Sequence, residues 1–151
     1  MQKISFAVTC RAIIVDQGEL FIAKHDPRNP HYALPGGKLE VGETLTACVA
    51  REIFEELGVK PRVGNLLFVN DWVDNRNHQV EFFFWINNTA DFRRASITSS
   101  SHGFELVDTK FADPTKPGVI VLPSFLRDRF SKILELGNNY PAELIHSGTE
   151  K

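Results

Sequence analysis

The sequence predicts an α/β fold, a mixed sheet with helices on two sides, and three observations support it. Runs rich in β-branched, aromatic and other apolar residues at Lys3–Val15, Glu19–Lys24, Val59–Trp72 and His78–Ile86 read as strands. A helical segment ending near Leu57 falls between the second and third of these runs, and another occupies Pro123–Leu136. Strands and helices therefore alternate along the chain, which is the order of a sheet covered on both faces.

Each element has a local reason. Asp16-Gln17-Gly18 is a turn signal and makes a hairpin of the first two strands. His25–Tyr32 holds two prolines and an asparagine and reads as a loop. Leu34-Pro35-Gly36-Gly37 is a glycine-rich turn, followed by a short extended piece at Leu39–Val41. Thr44 is a suitable N-cap for the first helix, and Gly58 a suitable stop. Val49, Ile53 and Leu57, with Ala50 and Phe54, form the apolar stripe of that helix, while Glu52, Glu55 and Glu56 occupy an adjacent arc. Asp74–Asn77 is a polar turn, and Phe82-Phe83-Phe84-Trp85 suits a strand buried on both faces. Asn87–Gly103 reads as a long loop in which Arg93-Arg94 is a solvated pair, Phe104–Phe111 as a last strand, and Pro114–Pro117 as a loop. Phe125, Leu126, Phe130, Ile133 and Leu134 give the second helix its apolar face, and Gly137-Asn138-Asn139 ends it. The expected organisation is one domain over residues 1–137 and a C-terminal tail over 138–151.

Composition narrows the function classes. A length of 151 residues suits one domain with a full core. The net charge of -2 offers no general attraction to nucleic acid or to an anionic membrane. The two cysteines, Cys10 and Cys48, match neither a zinc spacing nor a secreted disulfide framework and read as buried thiols in a reducing compartment. Ser5, Thr9 and Arg11 interrupt the apolar residues of the N-terminus, no stretch is long enough to span a membrane, and the expected location is the cytoplasm.

The segment from Gly37 to Val59 carries the most chemistry: GKLEVGETLTACVAREIFEELGV. Glu52, Glu55 and Glu56 are three and four residues apart and so share one side of a helix, where like charges repel. A hard divalent cation relieves that repulsion, because Mg²⁺ prefers carboxylate oxygens. The plain alternative is a solvated acidic helix end, but no lysine on this helix balances the acids and Arg51 is the only basic residue within it. The spacing Gly37-x₅-Glu43-x₇-Arg51-Glu52-Ile53-x-Glu55-Glu56-x-Gly58-Val59 matches every defined position of the box of the Nudix hydrolases, which this chain resembles. Arg11–Val15 ahead of Gly18–Ala23 is similar to that family's opening hairpin, and Tyr32–Gly37 to its entry into the box.

The resemblance implies a Nudix-type α/β/α sandwich and hydrolysis of the diphosphate in a nucleoside diphosphate linked to another moiety, or in a nucleoside triphosphate. It implies Mg²⁺ as cofactor, with Mn²⁺ as a substitute. It makes Glu52 and Glu56 the main metal ligands and Glu55 a further ligand or the general base, and the Gly36 or Gly37 carbonyl could complete the set. Arg51 takes a structural part. Glu43 is structural, a distant metal contact, or simply an acid at a helix N-terminus. A further acid from a later loop would be Glu105 or Glu81, with His102 equally placed. Arg11, Lys38 and Arg76 could meet phosphate, and Phe6, Tyr32, Trp72 and Phe82 could stack on a base, although each alone fits a surface charge or core packing as well. His78 resembles a histidine found in this strand of some relatives. The partner implied is a small nucleotide, with no nucleic acid and no membrane; the exposed end of the Phe82–Trp85 strand could support a homodimer. The rival readings are a catalytically idle nucleotide-binding domain, an isomerase or decapping enzyme of the same fold, and a plain globular domain. The intact box, the strand and helix positions of the two cysteines and the lack of a basic RNA path count against them.

Overall fold

The strand holding Phe82–Trp85 lies in the middle of the larger of two sheets, where both its faces are covered. The computed structural model describes residues 4–95 and 106–148. In it the five-stranded mixed sheet runs β4 (Gly36–Lys38), β1 (Ser5–Ile13), β6 (Asn77–Ile86), β5 (Val63–Val73), β8 (Glu143–Gly148). β1 and β6 are parallel from Ser5↔Asn77 to Ile13↔Trp85, β5 is antiparallel to β6, and β8 is parallel to β5. The second sheet is antiparallel, in the order β2 (Val15–Asp16), β3 (Glu19–Lys24), β7 (Asp108–Ala112).

Helix α1 (Leu45–Leu57) covers one side, where Cys10, Ala12, Phe84 and Ile86 of the large sheet meet Val49, Ile53 and Leu57 of the helix. Helix α2 (Phe125–Leu136) covers the other, where Phe68 and Phe83 meet Phe125, Phe130 and Tyr140. The layers are helix, sheet, helix, as expected for the α/β/α sandwich. α1 begins and ends where its sequence says: Thr44 accepts from the Ala47 N–H at 3.1 Å, and Gly58 takes the left-handed conformation at φ 71°.

Several elements differ from expectation. The first apolar run serves two sheets: its long part pairs with β6 and β4, and only Val15–Asp16 forms the hairpin, closed by Gln17 (φ 51°) and Gly18 (φ 76°). Both residues have positive φ, which suits the twist of a two-residue hairpin. The expected Gly36-Gly37 turn is an edge strand against β1, and the extended piece falls there and not at Leu39–Val41. On α1 the buried stripe is centred on Val49 and Ile53, so Phe54 is exposed, while Cys48 and Glu56 are buried. Within the expected loop, Thr89–Arg94 forms a 3₁₀ turn that buries Phe92. Arg93 is not a solvated partner of Arg94: it bonds Asp16 at 2.7 Å and lies 3.9 Å over the Phe111 ring. The last expected strand is displaced to Asp108–Ala112.

The largest correction concerns the expected tail over 138–151: its described part, residues 138–148, ends in a strand of the large sheet. Tyr140 is buried, its hydroxyl donates to Glu143, and Arg129 holds Glu143 at 2.6–3.0 Å, so β8 is tied to α2 at its start while it pairs with β5 in the sheet. Six residues with only Leu144 and Ile145 as strong apolar positions give little strand signal of their own. Phe68 joins these parts, with its ring against Phe83, Phe125 and Tyr140. Phe68→Ala should lower stability by about 3–5 kcal/mol, read from denaturant unfolding.

Candidate active site

The site is assembled where α1 crosses β4. Two glycines allow close approach there. A Cβ on Gly36 would lie 2.0 Å from the Cys10 carbonyl oxygen, so β4 approaches β1 only without a side chain. A Cβ on Gly37 would lie 2.4 Å from the Glu52 carboxyl carbon, so the Glu52 carboxylate rests directly on the Gly37 backbone. Glu56 is 1% exposed, and its carboxylate accepts from the Gly36 N–H at 3.3 Å. Cys48 packs beneath, its thiol 3.8 Å from the Gly37 carbonyl, and burial pushes the thiols of Cys48 and Cys10 up from their ordinary pKa.

Arg51 is the hub of the acids. It donates to Glu43 at 2.7 and 3.0 Å, to Glu52 at 2.9 Å, to Glu55 at 3.2 Å and to the Lys38 carbonyl at 3.1 Å. Glu43 also accepts from the Glu40 N–H at 2.8 Å. The Arg51 guanidinium holds the Glu43 carboxyl down from 4.5 to about 2, and its acidic partners raise Arg51 in turn.

A second chain of contacts leads from β4 into the sheet. Arg11 donates to the carbonyls of Gly36 at 3.1 Å and Leu34 at 3.3 Å, and its Nε meets Glu81 at 3.5 Å. Glu81 is 8% exposed and is also reached by Thr9 at 3.5 Å and Asn70 at 3.2 Å. Glu81 and Asn70 open onto a cavity of about 370 Å³ on the α2 side of the sheet, with Trp72, Gln79, Ser147 and His31.

The structure thus brings together Glu52, Glu56, Glu55, Arg51, Glu43, Gly36, Gly37, Arg11 and Glu81. Lys38 meets the cluster through its carbonyl, which accepts from Arg51, and also lines a groove with Phe6 and Val8. Tyr32 is buried, its hydroxyl bonded to Asp108 and its ring 4.7 Å from both the Lys24 and Lys110 ammonium groups, so it is not presented for stacking. Phe82 packs on the α1 side, and His78 bonds Asp71 at 2.8 Å with Phe6 against its ring. Of the four candidate stacking residues, Trp72 is the one that lines the cavity beside Glu81. Glu105 and His102 lie outside the described residues. Sequence reasoning missed Asn70, Gln79 and Ser147 as lining residues. The two-residue period of β5 and β6 could have placed Asn70 beside Trp72 and Gln79 beside Glu81.

The two glycines should respond differently to alanine. Gly36→Ala meets backbone and should lower the melting temperature markedly, whereas Gly37→Ala meets a side chain that can turn away and should melt close to wild type. Glu43 gives a pH prediction. Its carboxyl is depressed in the folded state, so its contribution to stability is complete above pH 4.5 and is lost as the pH falls toward about 2. Glu43→Gln should flatten that part of the stability curve, measured by unfolding between pH 2 and 6.

Comparison with known proteins bears on the family and the fold. The NUDIX domain model matches residues 5–126. The chain is 38% identical over 82 residues to an ADP-ribose pyrophosphatase of Methanocaldococcus jannaschii, covering 52% of this chain and 48% of that protein. It is 32% identical over 90 residues to an 8-oxo-dGTP diphosphatase of Escherichia coli, covering 57% of this chain and 67% of that protein. The match spans about half the length of the archaeal relative, and 16% of an NAD-capped RNA hydrolase of Vibrio cholerae. In structure, a MutT Nudix hydrolase of Burkholderia pseudomallei superposes with a TM-score of 0.64 at 24% identity, over 85% of this chain and 98% of that one. A Nudix hydrolase from Nitrosomonas europaea gives 0.67 at 18% identity, over 99% and 81%. The family model, the fold and the intact box together show that the chain belongs to the Nudix family.

Proposed function

We propose that the chain is a Mg²⁺-dependent pyrophosphohydrolase that cleaves the diphosphate of a nucleotide. The observation that carries this reading is the seating of the box on β4: Glu52 lies on Gly37 and Glu56 on the Gly36 N–H, beside Glu55. The named relatives act on ADP-ribose, 8-oxo-dGTP and NAD-capped RNA, substrates that share a diphosphate attached to a nucleoside.

The residues fit a hard cation by chemistry, since every donor is a carboxylate or carbonyl oxygen. Among the described residues no three acidic, histidine or cysteine side chains already converge on one metal-sized point, and Arg51 serves as the counter-ion of the cluster. Glu52 and Glu56 would hold the metal, with the Gly36 carbonyl beside them; that carbonyl accepts from Arg11 and has a second lone pair. Bound Mg²⁺ would supply positive charge against the diphosphate oxygens and acidify the attacking water.

The remaining steps belong to the chain. Glu55, on the same side of α1 as Glu52, takes the proton of the attacking water or adds a ligand oxygen. Arg51 keeps Glu43, Glu52 and Glu55 from pushing one another apart. Glu81 borders the cavity as a further acid, with Arg11 linking it to β4. The buried free thiols suit a reducing compartment, and among the described residues no helix is long and apolar enough to cross a membrane.

A panel of nucleoside triphosphates and nucleoside diphosphate derivatives, incubated with Mg²⁺ or with chelator and read by product mass, tests the activity. Cleavage of one class only with metal is expected. Glu56→Gln should lose nearly all of it with an unchanged circular dichroism spectrum, and Glu55→Gln should lose about 10²–10⁴-fold if Glu55 is the base. A fully active Glu56→Gln would overturn the assignment.

A further inference from the structure

We infer that Arg11 is a positioning residue of the cleavage site: its guanidinium holds the carbonyls of Leu34 and Gly36 and so sets the backbone that Glu56 bonds, and Glu81 acts by orienting Arg11. This rests on the box being the cleavage site, because the backbone so held is the one that meets the box acids.

The backbone of residues 34–36 carries the first step. Arg11 lies opposite Gly36 in the β1–β4 ladder. Its Nη1 donates to the carbonyls of Leu34 at 3.3 Å and Gly36 at 3.1 Å. The Ala12 N–H donates to the carbonyl between them, that of Pro35, at 2.9 Å. Three consecutive carbonyls are thus held by two neighbouring residues of β1. β4 spans only Gly36–Lys38, so its ladder is short and the side chain adds contacts that the ladder lacks. Gly36 has φ 142°, a conformation open to glycine, and its N–H meets Glu56 at 3.3 Å. Arg11 therefore reaches Glu56 through one residue.

Charge and shape carry the second step. The Nε of Arg11 meets Glu81 at 3.5 Å, and both side chains are largely buried. Charges taken out of water need a partner and further hydrogen bonds, and Glu81 has both. Its Oε1 accepts from Asn70 at 3.2 Å and its Oε2 from Thr9 at 3.5 Å. Asn70 is fixed in turn, because its Oδ1 accepts from the Ser147 hydroxyl at 2.7 Å. These neutral donors hold the carboxylate where it meets Arg11. One planar guanidinium then serves two carbonyls and a carboxylate from two different nitrogens, an arrangement that a lysine ammonium does not reproduce.

Continuity carries the third step. Ser147, Asn70, Glu81, Arg11, Gly36 and Glu56 form one chain of contacts, each at 3.5 Å or less. It runs from β8 across the sheet to α1. Arg51 holds Glu43, Glu52 and Glu55 from the helix, and Arg11 holds the β4 backbone from the sheet. The box is therefore braced from two directions by two arginines.

Two measurements on Arg11→Lys, Glu81→Gln and the double variant test the inference: steady-state kinetics with saturating Mg²⁺ on the nucleotide that the wild type cleaves, and amide hydrogen exchange by NMR. Arg11→Lys keeps a cation beside Glu81, and Glu81→Gln keeps the size of its side chain, so the fold has two separate chances to survive. Each single variant should lose about 10-fold or more in kcat with KM within about 2-fold of wild type. The double variant should be no slower than the slower single one, because Glu81 acts only through Arg11. The Gly36 amide should exchange about 10-fold faster in either single variant, while the amides of Ile53 and Leu57 in α1 keep their rates. A raised KM at unchanged kcat would make Arg11 a phosphate-binding group and overturn the inference. So would losses that multiply in the double variant, or exchange that quickens alike at Gly36, Ile53 and Leu57. Cleavage by the wild type with an unchanged kcat in Arg11→Lys would sink the positioning role alone. A wild type that cleaves nothing, with Gly36 exchange still selectively faster in the variants, would sink the hydrolase reading and leave the hold of Arg11 on β4 standing.

Discussion

Three carboxylates, Glu43, Glu52 and Glu55, accept hydrogen bonds from one guanidinium, that of Arg51, and a fourth, Glu40, lies 3.7 Å from it. Without it the acids of the box would repel one another along a single helix face and against the loop before it. Arg51 also bonds the Lys38 carbonyl, and so fixes α1 against β4. The two functions are inseparable: the contact that neutralises the acids also sets the distance between helix and edge strand. The close seating of Glu52 on Gly37 depends on that distance, and the absence of a side chain at Gly37 permits it.

The box, its caps and its glycines were legible because they are local. Thr44, Gly58 and the acid spacing act within about one helical turn, where sequence and geometry are tied by a fixed rise and period. What was not legible depends on pairing across long separations. The run from Lys3 to Val15 shows that it is a strand, but nothing in it says that Ser5–Ile13 pairs with β6 while Val15–Asp16 turns to another sheet. Arg93 looked like a surface charge because its partners, Asp16 and Glu19, are more than seventy residues away. The apolar face of α1 was read one step too far round, to Phe54, because the period fixes the width of a stripe more firmly than its centre.

β8 was missed for the same reason, and with it one side of the cavity. Its signal comes from neighbours: Arg129 on α2, Tyr140 before it, and the open edge of β5. The mixed sheet thus divides its labour. The α1 side and edge strand β4 carry the acids of the box and the backbone they rest on, and the α2 side carries Trp72, Gln79 and Asn70, set by the alternation of two strands. Arg11 and Glu81 bridge the two across β1 and β6.

The position of β8 in the chain has a consequence for synthesis. Everything in the acid cluster is present by Leu57, and the family core by residue 126, but Ser147 and Gly148 are added some twenty residues later. Domains emerge N-terminus first, so a nascent chain possesses its acids before the cavity beside them has its last wall. Until β8 pairs, Asn70 lacks the Ser147 hydroxyl that fixes its amide, and the edge of β5 is open to any other strand. The same geometry makes the segment after Tyr140 a point of vulnerability: one proteolytic cut there would leave the acids in place while opening the cavity and exposing a sheet edge.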